Sequence, residues 1–256
     1  MIKLENTQVV GWEPAIRGMR NPKNSWAKSD SVFDIRQDMG NYSYSGHDIS
    51  GKNWDAVYSP KGYILGVADH NLMTTLAAGG PVHAKYRRMI VVYVDITAPL
   101  YWWKEFDTYK VGTVANSCSI MHKIHAKPFE LDDFSHEHMD TFSLKMLKDI
   151  VHRLNLNREE FVNWSEDDQT AAPKKDYWWQ MIQLLPSSYN QKRTVMLNYE
   201  VLAHIYPDRK NYKLDEWHDF CSWIDSLPHS ELITGKEEFL HEAGSEAGQS
   251  ALAPAT

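Results

Sequence analysis

Met89-Ile90-Val91-Val92-Tyr93-Val94-Asp95-Ile96 is the stretch whose reading decides the fold. It is rich in β-branched residues and nearly all apolar, which marks a strand, and it is too apolar for an exposed edge, which places it inside a sheet. Pro99 ends it, having no N–H to give a ladder. Beyond it, residues 100–123 (LYWWKEFDTYKVGTVANSCSIMHK) begin as a helix and break at Gly112-Thr113. Upstream, Asn71 to Ala78 reads as a short helix stopped by Gly79-Gly80-Pro81, while Val9-Val10 and Val57-Tyr58 supply weaker strand pieces. Downstream, Phe142, Met146, Ile150 and Leu154 recur at helical spacing and predict a helix over about 141–155. Tyr177 to Leu185 is helical and ends before Pro186. Ser187-Ser188-Tyr189-Asn190 is a turn with N-cap candidates, opening a helix over Thr194 to Tyr206 that Pro207 closes. Leu214 to Leu227 sets Trp217, Cys221, Trp223 and Ile224 on one helical face. Strands come first and helices later, around one central strand: a mixed α/β (α+β) pattern with a central sheet flanked by helices.

The 256 residues, 43% of them hydrophobic, suffice for a sizeable core. We take residues 1–240 as one domain. Residues 241–256 (HEAGSEAGQSALAPAT) carry one large apolar residue, Leu252, and read as a disordered tail. A net charge of −7 removes the electrostatic basis for binding a nucleic-acid polymer, although a few local cations suffice for one phosphate. The two cysteines, Cys118 and Cys221, show no metal or redox spacing and are expected to be reduced thiols of a cytoplasmic protein. No apolar run reaches the roughly 18 residues of a membrane span, and Met1 to Asn6 has no apolar core of a secretory signal.

Histidines are the first chemical candidates. His122 and His125 stand three apart, with His136 and His138 in the acidic run LDDFSHEHMD. Zinc takes such pairs with a carboxylate, so a metal-dependent hydrolase is one alternative; histidines in so acidic a loop are more often solvated, and no metal is expected. Cys118 with His122 a turn later is a weak nucleophile pair beside the plain reading of a small polar surface. Neither a GxGxxG nor a P-loop spacing occurs, so any nucleotide or flavin binds another way. Cations near aromatics say more. Arg87 and Arg88 precede the buried strand, and Lys192-Arg193 follows the LPSSYN turn. There, helix N–H groups and Arg193 are placed to hold one phosphate; solvated charge is the competing reading.

Two segments resemble the flavin-dependent thymidylate synthases. That family carries R-H-R-x-x-S at the end of a helix following a buried strand; Thr108-Tyr109-Lys110-Val111-Gly112-Thr113 stands in that place, with Lys110 at the second Arg and Thr113 at the Ser. The polar stretch after it supplies Asn116, Ser117 and Ser119. The family's L-L-P, turn and W-T-x-N-x-R-S-L-x-H-F pattern resembles Leu184-Leu185-Pro186-Ser187-Ser188-Tyr189-Asn190 and then Arg193 to Ile205. Asn198, Leu202 and His204 match there, and Glu200 falls at the family's base-contacting Arg. The resemblance covers about residues 80–227 and implies a thymidylate-synthase-complementing-like fold, a homotetramer, and FAD and deoxyuridine monophosphate bound between subunits, with methylenetetrahydrofolate as carbon donor. It implies FAD contacts from Lys110, Thr113, Asn116 and Asn198. With it, the cations read above, Arg87, Arg88, Lys192 and Arg193, become the candidate phosphate contacts, Ser117 and Ser119 candidate nucleotide contacts in the signature region, and Glu200 the candidate for the base; no catalytic residue is assigned. Because the signature arginines are absent, a binding or regulatory protein on the same scaffold is the second alternative. A carboxylate at 200 suits an exocyclic amine, hence a cytosine- or purine-type base.

Overall fold

A computed structural model describes residues 2–35, 62–166 and 172–235. The chain forms β1 (Lys3–Val10), α1 (Trp12–Arg20), β2 (Val32–Ile35), β3 (Gly62–Ile64), α2 (Val67–Ala78), β4 (Val91–Pro99), α3 (Leu100–Phe106) and β5 (Val114–Ser117). It continues through α4 (Ile120–Lys123), α5 (Thr141–Asn163), α6 (Lys174–Leu184), β6 (Asn190–Asn198), α7 (Tyr199–Arg209), α8 (Asp215–Asp225) and α9 (Glu231–Thr234). A four-stranded antiparallel sheet runs in the order β1-β4-β6-β5, and β2 pairs with β3 in a separate ribbon. The mixed α/β fold expected from the sequence is the one observed. Val57-Tyr58 and the 241–256 tail lie outside the described residues.

β4 is central, as its composition demands, but only one of its faces is closed. Val92, Val94, Ile96 and Ala98 are buried against the helices with Val195 and Leu197 of β6 beside them, the alternation a half-covered antiparallel sheet should show. The opposite face is open, with Tyr93, Met196 and Val114 towards one end and polar residues towards the other. There Asp95 accepts from Thr194 Oγ1 at 2.6 Å and from Asn6 Nδ2 at 3.0 Å, and Lys192 Nζ lies 3.2 Å from its Oδ2. The main core adds Trp102, Trp103, Phe106, Trp217 and Phe220 from α3 and α8. A second, smaller core lies around α5 and α6, where Leu147, Leu154 and Met181 meet Ile124, Phe129 and Phe134. Asp140 starts α5 by accepting from Ser143 N at 2.7 Å.

One expectation is corrected. Thr194 to Asn198 is strand, not helix, and Arg193 lies in mid-strand rather than in a helix's first turn. Thr194-Val195-Met196-Leu197 alternates between the closed and open faces and completes the ladder with β4, which outweighs its helical spacing. The helix begins at Tyr199 and runs through Pro207 to Arg209, so that proline sits inside it near its end. The central sheet thus contains a late strand, after α6.

At the other end of the main core, Asp69 of α2 is fully buried. It accepts from Arg20 Nε at 2.6 Å, from Ser29 Oγ and Ser31 Oγ at 2.7 Å each, and from the Ser31 amide at 3.1 Å. Burial works against its charge, but these bonds prevail and hold the carboxyl below its ordinary value of 3.8. Since the folded chain gives up this proton more readily than the unfolded one, the stabilisation is complete above pH 3.8 and is lost as pH falls below it. Asp69→Asn should leave Arg20 as an uncompensated buried cation and cost about 3–5 kcal/mol, read from urea unfolding at neutral pH, and the difference from wild type should shrink at pH values below 3.8.

Candidate functional site

Three segments meet at one end of the β4–β6 ladder, where Val91 pairs with Asn198 and the Tyr199 amide donates to Ile90 O at 3.1 Å. The 3-10 turn Lys85–Met89 leads into β4 there and packs on α7. The α3–β5 loop returns to it, because α3 leaves the far end of β4 and β5 pairs backwards along β6. The third segment is the start of α7.

Asn198 caps α7, its Oδ1 accepting from Val201 N at 3.0 Å. Gly112 lies against this cap with φ at +80°; a Cβ there would stand 3.1 Å from both Asn198 Nδ2 and Val201 Cγ2. Next to it, the Thr113 hydroxyl is buried and has no hydrogen-bond partner among the described residues. Glu200 is 5% exposed, and neither carboxylate oxygen is hydrogen-bonded among the described residues. Its nearest basic groups among the described residues are Arg88 Nη2 at 4.0 Å and His204 Nε2 at 3.8 Å. A carboxylate in the first turn of α7 suits the helix dipole, but the dipole does not satisfy two buried acceptor oxygens. Burial pushes the neighbouring Tyr86 hydroxyl up to about 12 against the pull of adjacent Arg87; Glu231 and Glu200 both push it the same way.

The structure therefore brings Arg88, Thr113, Asn198 and Glu200 to one place, with Lys110 exposed on the rim of the same loop, while the Arg87 guanidinium lies beside the Tyr86 hydroxyl. Asn116 and Ser117 lie on exposed β5, opposite Thr194 and Arg193. Ser119 caps α4, accepting from His122 N at 3.2 Å. Lys192 and Arg193 point to opposite faces of the sheet. Lys192 sits on the open face between Asp95 and Glu5. The Arg193 guanidinium lies 4.1 Å over the Trp103 ring and bonds Asp107 at 2.8 Å. Their side chains do not converge, and no helix N-terminus backs them.

The first two signature positions are engaged within the chain, Thr108 exposed and Tyr109 partly buried. Thr108 Oγ1 donates to Glu105 O at 2.7 Å. Tyr109 OH accepts from Arg209 Nε at 2.9 Å, while Arg209 Nη1 reaches Glu105 Oε2 at 2.7 Å and Trp217 Nε1 donates to the same oxygen at 2.8 Å. Arg209 also lies 4.4 Å over Tyr212 and 4.6 Å over Trp217. Sequence reasoning missed Arg209 and Glu105; they are 104 positions apart, and only Arg209's place at the end of the second motif's helix hinted at it. The four histidines do not come together. His122 is exposed on α4, His125 lies tilted against Phe161, His136 bonds Phe134 O, and His138 bonds Asp215.

No protein-family model matches this chain, and no curated protein matches it. Among solved structures it is similar to the flavin-dependent thymidylate synthase ThyX from Helicobacter pylori, crystallised with FAD and dUMP, at 16% identity and a TM-score of 0.56, over 91% of this chain and 98% of that one. A second structure of ThyX from that organism, also with FAD and dUMP, matches at 15% identity and a TM-score of 0.55, over 92% and 98%. At such identities the likeness is one of fold, and it spans nearly the whole of both chains.

Gly112→Ala tests the packing of the loop on α7. The left-handed backbone alone costs about 1–2 kcal/mol, and the crowding of Asn198 and Val201 should add to it. Gly80→Ala is the control, with φ at +87° and nothing near its Cβ. Urea unfolding should show the larger loss at Gly112; equal losses would mean that the loop does not press on the cap.

Proposed function

We propose that this chain is a flavin-dependent thymidylate-synthase-like enzyme that binds a pyrimidine deoxynucleotide, dUMP or a relative of it, and methylates it with methylenetetrahydrofolate and reduced FAD. The observation that carries this reading is the meeting of both motif segments at the α7 cap, within a fold like that of an enzyme crystallised with FAD and dUMP. The residues present fit the flavin in part. The orphaned Thr113 hydroxyl, Lys110, Asn116 and the Asn198 amide offer polar contacts, whereas Thr108 and Tyr109 supply no cation. FAD, when bound and reduced, supplies hydride in enzymes of the kind this chain resembles.

In this reading Arg87 and Arg88 take the nucleotide phosphate, whereas Ser117 and Ser119, beside Arg193 and at the α4 cap, and Lys192 and Arg193, on opposite faces of the sheet, are not gathered with them. Lys192 and Arg193 already hold carboxylates of the chain itself, so Arg88, 57% exposed, is the freer cation. Glu200 accepts from the base. Its two unsatisfied oxygens suit an exocyclic amine such as cytosine N4. They repel a carbonyl oxygen, so the amine-bearing base is favoured over uracil. Each signature donor absent from positions 108 and 109 forgoes about 3 kcal/mol of transition-state stabilisation, and turnover is expected to be slow. A homo-oligomer that lays a second subunit over exposed β5 would complete the site, in keeping with the tetramer that the resemblance implies.

Two measurements test this. Reconstitution with FAD should give the visible flavin absorption band; protein that stays colourless would sink the enzyme reading and leave a nucleotide-binding protein on this scaffold. Calorimetric titration should show dCMP bound about 5- to 150-fold more tightly than dUMP, with the preference lost in Glu200→Gln. A clear preference for dUMP would remove Glu200 from the base site.

A further inference from the structure

A second polar cluster lies beyond Tyr199, the first residue of α7, whose hydroxyl donates to Pro228 O next to His229. His70 stands in the first turn of α2, and His229 and Glu231 lie where the α8–α9 turn enters α9. His70 Nε2 is 2.7 Å from Glu231 Oε1, and His229 Nδ1 is 3.5 Å from the same oxygen. The three ligand atoms all fall within 4.8 Å of one another, and no other such group occurs among the described residues.

We propose that His70, His229 and Glu231 bind a first-row divalent metal ion of the zinc type. Three observations carry this. The first is the donor set: two imidazoles and one carboxylate match the borderline character of zinc, which leaves a fourth position open in sites of that composition. Tetrahedral bonds of about 2.0–2.2 Å set donor atoms roughly 3.3 Å apart, so the observed spacing needs only small side-chain adjustments.

The second is an orphaned acceptor on a buried carboxylate. The Glu231 side chain is 6% exposed, its Oε2 has no hydrogen-bond partner among the described residues, and no Lys or Arg among them lies within ion-pair distance of it. A buried carboxylate needs compensation; its Oε1 faces both imidazoles, and a dication held there by both carboxylate oxygens would engage the orphaned Oε2 too.

The third is the way the ligands are held. His229 adopts a left-handed backbone with φ at +52°, a conformation uncommon outside glycine and found preferentially where function over-determines it. Trp12 packs edge-on against its ring at 5.2 Å, and Tyr63 lies on another side at 6.3 Å. The aromatic wall keeps water from one flank of the cluster, while His70 and His229 remain about three-tenths exposed and leave a way in. The ion would tie α2 to the C-terminal turn, across 161 positions of sequence. This proposal is independent of the nucleotide reading.

The probe is Co2+, titrated into tag-free full-length protein that has been stripped with a chelator and freed of it. Expected is saturation at one equivalent per chain, with visible d–d absorption of a four- or five-coordinate ion that Zn2+ then displaces. His70→Ala and His229→Asn, the latter chosen because Asn tolerates the left-handed backbone, should each weaken binding by more than the 10- to 100-fold that outer-shell changes typically cost, with circular dichroism confirming the fold. Should either variant fail to fold, X-ray absorption of the zinc-loaded wild type decides instead, and two imidazoles per zinc with no sulfur are expected. Absence of saturable Co2+ binding, unchanged binding in both variants, or a sulfur or third imidazole ligand would each overturn the site.

Discussion

Nine residue pairs between β4 and β6, from Val91–Asn198 to Pro99–Asn190, are the constraint on which the rest of the structure hangs. The ladder is antiparallel, so the start of β4 and the end of β6 share one end of the sheet. A helix that leaves β4 at the far end can return only by running back along the sheet. That path delivers the α3–β5 loop to the α7 cap, and the same end receives the turn carrying Arg87 and Arg88. Backbone pairing thus gathers side chains from three distant parts of the chain. A one-residue slip would reverse the faces of β6 and send Val195 and Leu197 to solvent.

The distribution of charge gives the site its character. Most of the cations near it are engaged elsewhere: Arg193 by Trp103 and Asp107, Lys192 by Asp95 and Glu5, and Arg209 by Glu105 and a cage of aromatic rings. The Arg209 cage fastens α3 to α7 and α8, so the helix leading into the signature loop is anchored by a cation that does not face the site. What remains at the cap is a buried carboxylate with one exposed guanidinium 4.0 Å away. Such a pair is strong in a dry environment and weak in a wet one, so a ligand that excludes water changes the balance it meets.

Much of the fold was legible because its signals are local. β4 announces itself by composition, α2 by its glycine stop, and α5 and α6 by the spacing of Met146, Ile150 and Leu154 and by Pro186. β6 was misread because Thr194 to Leu197 also fits helical spacing and Pro207 looks like a stop. Its strand character comes from β4, with Asp95 and Thr194 lying 99 positions apart, and no window of sequence contains that partner. The site follows the same rule. The convergence of Gly112 on Asn198 was legible through two motifs in known order, whereas the Arg209–Glu105–Tyr109 knot and the His70–His229–Glu231 cluster join residues with no local pattern in common. The engagement of Thr108 and Tyr109 within the chain was half legible: the missing arginines were plain, but not what stands in for them.

The same ladder has a consequence for synthesis. β4 leaves the ribosome well before β6 exists, and at about 5–20 residues per second the interval is roughly 5–20 s. During it the Val91 to Ile96 run has only β1 to pair with, and its other edge is bare, the condition under which unpaired strands associate with one another. What emerges meanwhile is α5 and α6, which can close their own small core from neighbouring sequence, a low-contact-order event that is intrinsically fast. The nascent chain is thus expected to carry a folded helical lobe beside an unfinished sheet, and the charged Asp95 on its open face acts as a gatekeeper of solubility before Lys192 of β6 arrives to partner it.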